Sequence, residues 1–125
     1  MAVLTEGMNL GDLLKYEAAN LYSRDQVTVL AGQNLALGAV AGIITATGKV
    51  KRIDPSATDG SQVAAGVIIQ SIDATAGDTP DGLLIARHAI VADHALVWPS
   101  GITTAEKTAA IGQLKNLGIL VRKGV

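Results

Sequence analysis

The chain has 125 residues, a formal net charge of −1 and no cysteine, and apolar residues make up 49% of it. One domain, or one domain with an arm, fits that length. The missing cysteines exclude disulfides and thiolate metal sites, and the near-neutral charge offers no basic field to nucleic acid. The apolar content is delivered mainly as Ala, Val, Ile and Leu alongside 14 glycines. It exceeds what one small core needs, which points either to a large self-association interface or simply to alanine inflating the count.

Residues 1–25 read as an N-terminal arm, distinct from a domain over 26–125. Val3, Leu4, Leu10, Leu13, Leu14, Tyr16 and Leu21 are apolar without a sustained helical or strand period. The first residues lack the basic stretch and long apolar core of a signal peptide. Asp12 is placed to cap a short helix, while Tyr16 and Tyr22 equally suit extended chain, so either conformation is open here.

From Gln26 the pattern turns to β. Val27–Leu30 is expected as a strand, 35–42 (LALGAVAG) as a flexible connection and Ile43–Thr47 as a strand. Gly48 then serves as a hairpin turn into the alternating Lys49–Ile53. No charge falls between Gln26 and Gly48, but interspersed glycines and polar residues argue against a membrane span. Asp54–Gly60 and Asp73–Gly82 are dense in turn formers and are expected as loops. Between them, Gln62–Ser71 reads as the most buried strand, with Gly66 marking a bulge or a close backbone approach. Leu83–Val91 is expected as one strand, followed by a kink at Ala92–His94.

The strongest local signals come last. Trp98-Pro99 ends an extended segment, since proline gives a sheet no amide hydrogen. Thr103 and Glu106 have the spacing of a capping box. The helix they start, from about Thr104 to Asn116, places Ala110, Leu114 and Leu117 on one face. Gly118 supplies the left-handed stop, and Ile119–Val121 returns as a strand. Short strands, turn-rich loops and one helix make the fold class α+β, mainly β.

No catalytic constellation emerges. His88 and His94, with Asp93, are too sparse for a metal site. The loop aspartates Asp54, Asp59, Asp73, Asp78 and Asp81 lie in two loops rich in Pro, Gly and Thr, where aspartate is a turn former, and lack a calcium-loop spacing. The stretch Gly42–Lys49 fails as a phosphate loop: its glycines are one residue too far apart and Val50 stands where Ser or Thr must bind magnesium. No nucleophile with a base partner is evident. The expectation is a non-enzyme without metal or cofactor.

In order along the chain, Lys49-Val50-Lys51-Arg52, then Thr58-Asp59-Gly60 through Gly66-Val67-Ile68, then Leu96-Val97-Trp98-Pro99 and Thr104-Ala105-Glu106-Lys107 resemble the head decoration proteins of tailed bacteriophages, the lambda protein D family. The resemblance spans roughly residues 43–122. It departs where the family's early tryptophan is replaced by Arg52 or Ile53, and in an arm rich in Leu and Tyr rather than Pro and Thr. The resemblance implies a β-clip-like domain with one helix in its C-terminal half. It implies a homotrimer on the outer surface of the capsid, where the arm binds the major capsid protein and the protein cements the shell. On this reading residues 1–20 are dispensable for folding. A β-rich carbohydrate-binding or tail-fibre type module is the alternative, although such modules read ligands with exposed aromatics and only Tyr16, Tyr22 and Trp98 are aromatic here.

Overall fold

The computed structural model describes residues 9–124, apart from the side chains of Asn20 and Leu21. Its centre is a closed barrel of five strands. These are β2 (Arg24–Val29), β4 (Val40–Ile43), β5 (Val50–Arg52), β6 (Gly66–Ile68) and β8 (Thr79–Ile85), joined in the order β2-β5-β4-β6-β8. All the pairings are antiparallel except β2 with β5, which meet in parallel at Val29 and Val50. Against the barrel lies a three-stranded sheet: β9 (Ala89–Ala92) in the middle, β1 (Leu14–Glu17) antiparallel on one side and β10 (Ile119–Arg122) parallel on the other. A small ribbon pairs β3 (Asn34–Leu35) with β7 (Ile72–Asp73). Two single-turn helices, α1 (Leu10–Leu13) and α2 (Asn20–Ser23), flank β1, and α3 (Thr104–Asn116) precedes β10. With 19% helix and 36% strand the domain is α+β and mainly β, as its sequence pattern requires.

Strand periodicity explains where the apolar surplus goes. Successive side chains of a strand point to opposite faces. In β4, β6 and β8, Ala41, Ile68 and Leu84 belong to one core together with Val29, Leu35 and Val50. Their neighbours Val40, Val67 and Ile85 belong to a second, together with Val91, Leu114 and Ile119. Along β4, β6 and the end of β8 the barrel wall is therefore buried on both faces, and apolar residues do not alternate with polar ones there. Among the described residues the exposed large hydrophobics are only Tyr16, Tyr22 and Val63. Two internal cores account for the apolar content, and a large self-association interface is not needed to explain it.

Several element boundaries differ from the sequence-based expectation for the same reason. The connection expected over 35–42 contains the end of β3 and most of β4, and the strand ends at Ile43, not Thr47. Small residues are required there: a Cβ on Gly42 would stand 2.5 Å from the Ser61 carbonyl oxygen. Gly66 has the close approach its position suggested, since a Cβ would meet the Ile85 oxygen at 2.3 Å. The single strand expected over Leu83–Val91 is two. His88, at φ 53°, turns the chain out of the barrel strand β8 and into β9 of the other sheet. Part of the second expected loop, Thr79–Gly82, belongs to β8.

The C-terminal unit follows its local signals. The Thr103 hydroxyl accepts from the Glu106 amide at 3.1 Å, and the Thr103 amide donates back to the Glu106 carboxylate at 2.9 Å. Ala110 and Leu114 are buried, Leu117 packs on the same core from the helix end, and Gly118 takes φ 80°. Thr103→Ala is expected to lower stability by about 0.5–2 kcal/mol, since it leaves one first-turn amide without its acceptor. The check is a shift in the urea midpoint at unchanged slope.

Candidate functional site

The sequence places function at the N-terminal segment, and the structure divides that segment. Val3 and Leu4 lie outside the described residues, as does the Leu21 side chain. Leu10 and Leu14 are half-buried against the second core, while Leu13 is fully buried within it. Tyr16 is 60% exposed. The expectation that residues 1–25 form an arm without burial of its own thus fails for Leu10–Glu17. α1 carries its own capping box between Asn9 and Asp12, Leu13 fills a core position, and β1 finds its ladder partner in β9. Leu14 pairs with Val91 and Glu17 with Ala89, across an irregularity between Leu14 and Tyr16.

A polar corner then ties β1 to the barrel. The Arg24 guanidinium binds both oxygens of Glu17, with Nε at 2.9 Å from Oε2, and the buried Ser23 hydroxyl donates to the same carboxylate at 2.8 Å. The Ala18 amide donates to the His88 carbonyl and the Ala86 amide to the Ser23 carbonyl. Arg87 grips Asp25 with two bonds of 3.1 and 2.8 Å, and the Tyr22 ring stands edge-on to His88. These bonds hold the chain where it passes from the outer sheet into the barrel.

The hydrogen bonds from Arg24, opposed by burial and aided by Ser23, hold the Glu17 carboxyl below its ordinary value of 4.5. Such a group contributes stability that is present in full above the unfolded value. That contribution is lost as pH falls through the folded one, because the unfolded chain takes up the proton first. Asp54, Asp59, Asp73 and Asp78 are displaced in the same direction by hydrogen bonds from Ser56, Ser61, Thr75 and Lys49 respectively. Glu17→Gln is therefore expected to flatten part of the loss of melting temperature below about pH 4.5. An acid limb identical to that of the unmodified chain would rule out this role.

The histidines and aspartates considered for chemistry are held in structural roles or stand apart. Asp54, Asp59 and Asp73 each accept from the amide and hydroxyl of the residue two positions on, the geometry of an aspartate-headed turn. Asp78 pairs with Lys49 at 2.5 Å, and Asp81 accepts from Gln26. His88 contacts Tyr22, whereas exposed His94 lies in a 3-10 turn at Asp93–Ala95. Among the described residues no group of three or more His, Asp or Glu side chains converges as a metal site would require.

A cleft of about 380 Å³ lies between β5 and the Trp98-Pro99 corner, beside the start of α3. Its charged side chains are already engaged: Lys51 with Asp54, Arg52 with the Asn34 carbonyl, and Glu106 in the cap. Trp98 and Pro99 are half-buried, and Trp98 packs on the second core, so their part is to turn the chain towards α3. No described helix is long and apolar enough to cross a membrane.

This is the build of a structural domain: two cores, self-satisfied polar turns, and an N-terminal segment that enters through a sheet edge. The chain belongs to the family of the bacteriophage lambda head decoration protein D, whose family model matches residues 3–119. The match reaches well before the motifs near residue 43 and includes most of the segment preceding α1. Comparison with curated proteins finds no match. The family is one of phage head components, structural and not enzymatic.

Proposed function

We propose that this chain is a capsid cementing protein that sits as a homotrimer on the outer surface of a phage head and stabilises the shell. The family match over residues 3–119 carries the reading. Supporting it is a body in which the polar side chains of the turns, caps and corner serve the fold. On this reading the chain has no catalytic step, metal or cofactor, and its partners are the major capsid protein and two further copies of itself.

Residues 1–8 are the capsid-binding element, and residues 10–17 are the anchor that fixes it to the domain. Val3 and Leu4 bury themselves on the head surface, with backbone pairing of the β-augmentation kind. A three-fold ring closes through heterologous contacts, so two different patches of each subunit meet. Ordering an arm costs about 1–2 kcal/mol per residue in backbone entropy. Three arms on one trimer raise the effective concentration and make attachment far longer-lived than one arm allows.

The test is cosedimentation of the purified protein with expanded heads built from the same phage's major capsid protein. The expected result is saturable binding in multiples of three and heads that resist heat better. Protein that stays in the supernatant, or that sediments as a monomer both free and on the head, would overturn the proposal.

A further inference from the structure

A second cleft, of about 370 Å³, lies where α3 meets the 3-10 turn at Asp93–Ala95 and the end of β10. Its apolar side is Leu96, Trp98 and Ile111, of which Trp98 and Ile111 are half-buried. Lys107 and Lys123 line it too. Among the described residues neither has an ion-pair partner within 4.0 Å, in contrast to Arg24, Lys49, Lys51 and Arg87, each of which has one. Asp93 is the one carboxylate in the lining. Two ammonium groups thus outnumber a single carboxylate around an apolar seat, on a chain whose net charge is −1.

The cleft stands beside the point where the N-terminal segment enters the fold. α1 packs against the 3-10 turn that carries Asp93, and Leu10 joins the same core cluster as Leu96 and Trp98. The described chain therefore begins close to this cleft. We infer that the cleft docks an acidic segment of the major capsid protein, seating an apolar side chain on Trp98 and Ile111 while its carboxylates meet Lys107 and Lys123. The inference rests on the capsid-binding reading above and adds to it the face that meets the head and the chemistry it selects. Charges at a rim of this kind set partner choice and respond to salt, with a screening length of about 8 Å at 0.15 M.

Cosedimentation with expanded heads is measured for the unmodified chain, K107E/K123E, the milder K107A/K123A, and K115E as a control outside the cleft that changes the net charge by as much as K107A/K123A. The unmodified chain is expected to bind less tightly as salt rises. K107E/K123E is expected to bind about tenfold or more weakly, K107A/K123A to lose part of the salt dependence, and K115E to behave as the unmodified chain. Binding by both double variants equal to that of the unmodified chain overturns the inference and leaves the capsid-binding reading intact. Failure of the unmodified chain to bind heads overturns both. Two further outcomes assign the cleft to another occupant and also overturn it. One is a fall in the sedimenting mass of the free double variants, which assigns it to a second copy. The other is a loss of melting temperature that deletion of residues 1–8 reproduces, which assigns it to the chain's own N-terminal segment.

Discussion

Leu13→Ala is expected to cost about 2–5 kcal/mol, as much as Leu114→Ala in α3. Both side chains are fully buried in the same cluster, so each truncation removes apolar burial and leaves a cavity between the barrel and the outer sheet. Their sequence settings could hardly differ more: Leu114 lies in a capped helix of more than three turns, Leu13 at the end of a single turn. An isolated turn has almost no stability of its own, so the position of Leu13 depends on Val91 and its neighbours in β9 holding β1 in register. Tyr16→Ala, on the exposed face of the same strand, serves as the control and is expected to change stability by about 0.5 kcal/mol or less. Chemical denaturation of the three variants gives the comparison. Leu13→Ala at the level of Tyr16→Ala would mean that the N-terminal segment is not part of the core.

That contrast also marks what the chain reveals without coordinates. α3 was legible because its signals are local. Thr103 and Glu106 are three residues apart, the buried Ala110 and Leu114 four apart, and Gly118 stops the helix beside its own last turn. The mainly β class was legible too, from short apolar runs between turn-forming aspartates. Barrel closure was not, because it depends on pairings between distant residues, such as Arg24 with Ile85 and Val40 with Val67. The stretch over 35–42 looked like a linker since its alanines and glycines lack strand propensity. Gly42 is small because the Ser61 backbone leaves no room for a side chain, a tertiary demand that overrides propensity. His88 hid the break between β8 and β9, since a positive φ is uncommon outside glycine even though histidine adopts it more readily than most residues. At the candidate site, the apolar residues of the first 25 were visible but their division was not. Nothing in the residue types separates Leu13, which belongs to the core, from the half-buried Leu10 and Leu14. Nor does anything in the residue types pair Lys107 with Lys123, which are distant in sequence and brought to one cleft by the turn from α3 into β10.

Two truncations should therefore part company. Removing residues 1–8 is expected to leave a folded protein of nearly unchanged melting temperature that no longer sediments with heads. Removing residues 1–17 is expected to fail at folding itself. The first deletion stops short of the Asn9–Asp12 capping box and touches no described contact of the domain. The second removes Leu13 from the core, at about 2–5 kcal/mol, and strips β9 of the antiparallel partner that covers its edge. It also takes away Glu17, which leaves Arg24 without its ion-pair partner, while the buried Ser23 hydroxyl keeps the Ala18 and Ala19 carbonyls as acceptors. The loss of Leu13 together with the β9 edge is a large share of the whole stability of an ordinary domain, about 5–15 kcal/mol. Circular dichroism melts and head cosedimentation on both truncations decide the matter. A stable, cooperatively melting protein without residues 1–17 would return the anchor to the arm. Undiminished head binding without residues 1–8 would move the capsid contact onto the domain, leaving the basic cleft beside α3 to account for attachment by itself.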